Sequence, residues 1–123
     1  MTHLDDEGRL VDERPWGRFI VLDDQSSDYK IKEIVVTPGK RLSYQTHARR
    51  AEHWFVVSGH ATAVVDGETY ELGPGHSVDI NIGQAHRCEN HGVDDVRFIE
   101  VQTGTYFGED DIVRLEDDFG RAN

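Results

Sequence analysis

Gly39-Lys40-Arg41-Leu42-Ser43-Tyr44-Gln45-Thr46-His47-Ala48-Arg49-Arg50-Ala51-Glu52-His53-Trp54-Phe55-Val56-Val57-Ser58-Gly59 is answered further along by Gly75-His76-Ser77-Val78-Asp79-Ile80-Asn81-Ile82-Gly83-Gln84-Ala85-His86-Arg87-Cys88-Glu89-Asn90. In both stretches, metal-ligating side chains sit between glycine-marked turns. Gln45 and His47 are two apart, so on a strand they point to one face. Glu52 opens the next strand beyond a bend. Trp54 and Val56 share its face as core residues, while His53, Phe55 and Val57 face the other way.

Working outward, the chain reads as short β-type runs: Arg18–Leu22, Tyr29–Val36, His53–Val57, Ala61–Val65, Thr69–Leu72 and Val96–Gln102. Turn residues separate them at Thr37-Pro38-Gly39, Ser58-Gly59, Gly73-Pro74-Gly75 and His91-Gly92. Asp66-Gly67 is a two-residue hairpin signal, because both central positions require positive φ. No segment carries a sustained helical stripe, and no internal repeat is present. Short strands at this spacing predict an all-β sandwich or barrel. Residues 1–13 read as a flexible acidic lead-in and 14–121 as a single domain. Near the end, Glu109-Asp110-Asp111 and Glu116-Asp117-Asp118 flank the apolar patch Ile112, Val113 and Leu115.

With 123 residues, the chain has room for one domain and one core. Hydrophobic residues at 37% and charged residues at 30% fit a globular protein. Thirteen basic against 24 acidic side chains give a net charge of −11. Such a surface repels nucleic acid and anionic lipid, so neither is expected as a partner. No apolar run is long enough to cross a bilayer. The start is acidic where a targeting segment would be basic, so a cytoplasmic location is expected. Cys88 is the single cysteine, which rules out an intrachain disulfide and a Cys-rich zinc site. It is expected to be buried and inert, on one face with His86 and Asn90.

The spacing of the two motifs resembles that of cupins, with Gln45 at the usual first histidine and Asn81 at a usual proline. The resemblance implies a cupin-type double-stranded β-helix (a jelly-roll barrel) holding one divalent metal on Gln45, His47, Glu52 and His86. That mixed N/O set suits Zn, Mn, Fe, Co or Ni. The competing reading is a metal-free barrel in which His47 and His86 are ordinary polar residues. His3, His60, His76 and His91 lie in the tail or beside turns and are expected to be solvated.

Arg14-Pro15-Trp16-Gly17, Arg50-Ala51-Glu52-His53-Trp54, Glu100-Val101-Gln102-Thr103-Gly104-Thr105-Tyr106 and Gly108-Glu109-Asp110-Asp111-Ile112-Val113-Arg114 narrow the resemblance. They are similar to the cupin domain of type II mannose-6-phosphate isomerases, over about residues 14–121. In that family a glutamine at the position of Gln45 is usual. The family domain usually follows a mannose-1-phosphate guanylyltransferase domain, for which this chain has no room. Where the family often has a histidine cluster after His47, Ala48 and Arg49 stand here.

The resemblance implies isomerisation of mannose 6-phosphate and fructose 6-phosphate, with the metal as Lewis acid. Glu100, sharing a face with Gln102 on a late strand, is the candidate base; a structural carboxylate paired with a cation is the equal alternative. Lys40, Arg41, Arg49, Arg50 and Arg87 are concentrated in the motifs and suggest an anion site. Arg50 is the first candidate for the substrate phosphate, with Arg41 and Arg87 beside it. Lys30 and Lys32 alternate on one strand face and could point inward, with a solvated face the preferred reading. Two other function classes compete: a metal-cupin enzyme of other specificity (an oxygenase or another sugar isomerase), and a non-catalytic sugar-phosphate binding module. Sheet edges in small jelly rolls are commonly covered by a second subunit, so a homodimer is expected.

Overall fold

The computed structural model describes residues 1–120. Twelve strands follow one another: β1 (Thr2–Leu4), β2 (Leu10–Arg14), β3 (Gly17–Asp23), β4 (Tyr29–Val36), β5 (Tyr44–Thr46), β6 (Arg50–Ser58), β7 (Ala61–Val65), β8 (Glu68–Leu72), β9 (Ser77–Ile80), β10 (His86–Glu89), β11 (Val96–Gly104) and β12 (Val113–Glu116). No helix occurs among the described residues. One sheet has the order β1-β2-β3-β4-β11-β6-β9 and the other β12-β5-β10-β7-β8, with antiparallel neighbours throughout. The two packed sheets are the expected cupin double-stranded β-helix.

Alternation along the strands decides what goes inside. On β6, Glu52, Trp54 and Val56 are buried, while Phe55 and Val57 are exposed. On β11, Phe98, Glu100 and Gln102 are buried on the same inner face. The apolar core gathers Trp16, Phe19, Ile34, Val36, Trp54, Val56, Ala63, Cys88, Val96 and Phe98 between the sheets. Trp54 and Phe98 pack with ring centroids 4.8 Å apart. The hairpin at Asp66-Gly67 forms as its sequence predicts, with φ of +48° and +81°. Gly59 has φ +81°, and a Cβ there would run into the Asp95 carbonyl. Only glycine fits that corner.

Three expectations need correction. The first residues form a β-hairpin where a flexible lead-in is expected, with the Met1 amine donating to the Glu13 carbonyl at 2.9 Å. Asp5 turns the chain there by accepting from the Glu7 and Arg9 amides. The short strands β5, β9, β10 and β12 were not among the expected runs: β5 and β10 carry polar residues at their inward positions, and β9 and β12 alternate over only four residues each. Lys32, read as solvated, is 2% exposed and points inward. The expected domain boundary at 121 lies outside the described residues.

Asn90, 1% exposed, closes the barrel behind β10. Its amide donates to the carbonyls of Val36 (2.9 Å) and Asp94 (2.8 Å), and its Oδ1 accepts from the Gly92 amide (2.9 Å). Replacing Asn90 with Ala leaves three backbone groups without this partner. The Asn90→Ala variant is expected to lose about 3 kcal/mol of stability, measured by urea unfolding with an unchanged m-value.

Candidate functional site

At one end of the barrel the inner faces turn from apolar to polar. Register explains how. On the large sheet, Glu100 pairs with Lys32 of β4 on one side and Trp54 of β6 on the other. The next inward row sets Gln102 against Glu52. On the small sheet, His86 of β10 pairs with Gln45 of β5, and Gln45 with Arg114 of β12. His47 lies just past the end of β5. Gln45, His47, Glu52 and His86 are thus brought together from both sheets, each at most 7% exposed.

The ligand atoms of His47, Glu52 and His86 lie within 4.8 Å of one another. Nε2 of His47 is 3.3 Å from Glu52 Oε2, and Nε2 of His86 is 3.7 Å from Glu52 Oε1. Hydrogen bonds fix the rings. His47 Nδ1 is 2.9 Å from the Asp111 carbonyl, and Arg50, which carries donors only, lies 3.2 Å from Nε2. Nδ1 therefore bears the proton and Nε2 the lone pair. His86 Nδ1 likewise donates to the Gln84 carbonyl at 2.9 Å, so Nε2 is the nitrogen that faces Glu52. A carbonyl behind Nδ1 is the arrangement that aims Nε2 at a metal.

Two buried atoms here, Gln45 Oε1 and His86 Nε2, have no hydrogen-bond partner. Orphaned acceptors beside an ionised carboxylate call for a cation. Metal bonds of roughly 2.1 Å separate ligand atoms by up to roughly 4 Å, so a small inward movement would close the set. The residues fit a divalent metal.

Charge arrangement follows burial. Desolvation opposes ionisation of Glu52, but His86, Arg50 and His47 outweigh it and hold the carboxyl below its ordinary value. Trp54 Nε1 donates to Glu52 Oε1 at 2.9 Å, and Arg50 Nε to Oε2 at 3.0 Å. Burial pushes His47 down to about 4. Glu100 moves the opposite way: burial raises it, and the neighbouring Glu52 carboxylate adds to the rise. Its Oε2 accepts from the Gln102 amide at 2.7 Å. A carboxyl raised toward neutrality beside one held ionised is the pattern of an acid–base site.

The remaining expected residues divide. Arg50 is 4% exposed and lines the cavity. Arg41 is drawn away, bonded to Asp118 at 2.8 and 2.9 Å and to Glu89 at 3.4 Å. Arg87 faces opposite to His86, with Nε donating to the Leu42 carbonyl and its guanidinium over Tyr44. Neither Arg41 nor Arg87 lines the cavity. Four further residues enter the site: Lys32, for which a solvated face was preferred, and Arg14, Glu109 and Arg114, which stood within the family motifs without a role. For Lys32 the signal was its inward parity with Ile34. Glu109 lies in an irregular segment and gave none. Cys88 is fully buried in the core, and desolvation raises its thiol.

Residues 6–117 match the family model described as mannose-6-phosphate isomerase C-terminal. Alginate biosynthesis protein AlgA of Pseudomonas aeruginosa is 48% identical over 109 residues, covering 89% of this chain and 22% of that protein. Mannose-1-phosphate guanylyltransferase ManC of Salmonella typhimurium is 45% identical, with the same two coverages. The chain thus spans about a fifth of the length of these relatives. Among solved structures, the capsular polysaccharide assembling protein CapF of Staphylococcus aureus superposes with a TM-score of 0.78 at 22% identity, over 88% of this chain and 34% of that one. At that identity the likeness is one of fold. The sequence match over nearly the whole chain goes further, and the protein belongs to the mannose-6-phosphate isomerase C-terminal family.

Proposed function

We propose that the protein is a metal-dependent aldose–ketose isomerase interconverting mannose 6-phosphate and fructose 6-phosphate. The observation that carries this reading is the convergence of the Nε2 atoms of His47 and His86 on Glu52, with Gln45 paired to His86 and its buried Oε1 orphaned, and with the raised carboxyl of Glu100 beside them. The family match and the cationic lining support it.

A divalent ion held by Gln45, His47, Glu52 and His86 would supply positive charge for the oxygens of the enediolate. Everything else falls to the chain's own side chains. Glu100, as carboxylate, takes the proton from C2 of the open-chain aldose and returns it to C1, while the hydroxyl proton passes from O2 to O1. Gln102 fixes the orientation of that carboxyl through its 2.7 Å bond. Trp54 and Arg50 hold Glu52 ionised, which stops it competing for the proton. Arg50 also places a cation beside the sugar for its anionic group.

We also infer a homodimer. Phe55 and Val57 are 43% and 36% exposed on the outer face of the large sheet, and a second copy of the chain would cover them. Light scattering is expected to give twice the chain mass; the mass of one chain would remove this inference.

The isomerase reading is tested with metal-reconstituted protein and mannose 6-phosphate, following fructose 6-phosphate through a coupled assay. Turnover is expected, and it is expected to vanish in His86→Ala. Glu100→Gln should lower kcat by a hundredfold or more while leaving metal content unchanged. Absence of turnover with every divalent metal, in folded protein, would instead favour the binding module.

The pH response has a defined sign. Glu100 must lose its proton to act, so kcat/KM should fall as pH is lowered through a limb lying above the ordinary carboxylate range. His47 is held down to about 4 against 6.5 for a free imidazole, so the unfolded chain binds more protons between those values. Its contribution to stability is therefore complete above 6.5 and is lost as pH falls toward 4. In thermal melts of metal-free protein, the wild type should lose stability relative to His47→Gln over that window.

A further inference from the structure

The cavity is about 50 Å³, room for very few waters. An ordinary small-molecule site needs roughly 300 Å³ or more. A hexose phosphate therefore enters only if something at the mouth moves, and the side chain standing there is Glu109. It belongs to the irregular segment between β11 and β12, which crosses the barrel opening. Its side chain is 39% exposed, whereas the cations it reaches, Lys32 and Arg50, are 2% and 4% exposed. The carboxylate reaches in from outside.

Its fit to those two cations is uneven. Glu109 Oε1 bonds Lys32 Nζ at 2.9 Å, but Oε2 stays 3.8 Å from Arg50 NH1. That NH1 is buried and has no hydrogen-bond partner among the described residues. The other guanidinium nitrogens of Arg50 are engaged, Nε with Glu52 and NH2 with His47. Lys32 also lies over the Phe19 ring, 4.1 Å from its centroid, which favours its present position. A planar carboxylate with one charge satisfies one of the two cations. A phosphomonoester carries up to two charges and three terminal oxygens, enough for both.

We propose that Lys32 and Arg50 form the subsite for the substrate's phosphate, and that Glu109 is its internal stand-in, displaced when the phosphate enters. This rests on the reading of the cavity as a sugar-phosphate site and adds to it two residues, Lys32 as an anion ligand and Glu109 as a competitor. The segment is built to release Glu109 without losing its hold. Two positions on, the Asp111 carboxylate accepts from the Ala48 and Arg49 amides (3.2 and 2.9 Å), and its carbonyl accepts from His47. Glu109 can leave while Asp111 stays docked.

The test uses the full chain and inorganic phosphate, with binding followed by calorimetry and by the shift in melting temperature. Glu109→Gln should bind phosphate at least tenfold more tightly than the wild type, and phosphate should raise its melting temperature by more than it raises the wild type's. Adding Lys32→Met to Glu109→Gln should abolish that gain. Equal affinity in Glu109→Gln and wild type would overturn the proposal. So would a gain that survives Lys32→Met, since the anion would then sit elsewhere. If Glu109→Gln does not fold in plain buffer, phosphate should restore folding, and failure to do so would also overturn it. A phosphate gain in a protein without mannose 6-phosphate turnover keeps the subsite and removes the isomerase reading; turnover without the gain does the reverse.

Discussion

A buried carboxylate, Glu52, sits on the inner face of β6 at the polar end of the barrel, and the surrounding structure answers to it. An ion removed from water costs several kcal/mol unless it is paired and hydrogen-bonded. Trp54 and Arg50 donate to its two oxygens, and the rings of His47 and His86 stand within 3.7 Å. Each of those partners needs support of its own. Trp54 is clamped by Phe98, and each histidine is clamped by a backbone carbonyl behind Nδ1. The apolar half of the barrel therefore stabilises the fold, and it also provides the rigid wall against which this charge cluster is set. That Gln45 Oε1 and His86 Nε2 remain orphaned inside so compensated a cluster marks where another positive charge belongs.

The same constraint explains what could be read from the sequence. β4 and β7 coincide with the expected runs Tyr29–Val36 and Ala61–Val65, because their inward positions are mostly apolar and bounded by turns. Where the inner face turns polar, alternation stops reporting what is inside. β5 offers Gln45 and β10 offers His86 at the inward position, and both are too short to show a pattern. Lys32 is the clearest case. Its parity with Ile34 and Val36 pointed inward, but Lys30 shares that face while Ile31 and Val35 share the other, and the pairing with Glu100 across β4 and β11 decides between them. Such pairing joins residues far apart in the chain, which no local window contains.

The basic residues show the converse. Five lie within the two motifs, and the local excess in an acidic chain suggested one anion site. The structure disperses them. β10 points His86 inward, so its neighbour Arg87 must point outward. Arg41 meets the acidic end of the chain at Asp118. Arg50 alone is carried inside, because it opens β6 two residues before Glu52 and shares its face. Parity along a strand was the stronger signal than density of charge.

Parity also has a boundary, and the site uses it. His47 lies one residue beyond β5, so no ladder hydrogen bond fixes its ring. Its orientation comes instead from the Asp111 carbonyl, in the segment whose side chain Glu109 reaches Lys32. The segment is held to the barrel by Asp111 on the Ala48 and Arg49 amides, immediately after His47. One short irregular stretch thus touches both sides of the cavity, aiming His47 Nε2 at Glu52 with its backbone and meeting the cationic wall with a side chain. Those contacts lie two residues apart on the same stretch, so the Asp111 carbonyl keeps its place behind His47 whether or not Glu109 meets Lys32. A strand could not provide this, since residues two apart would then point the same way and their backbone groups would be committed to the sheet. The irregular backbone between Gly104 and Val113 is what frees one carbonyl for His47 and one carboxylate for Lys32.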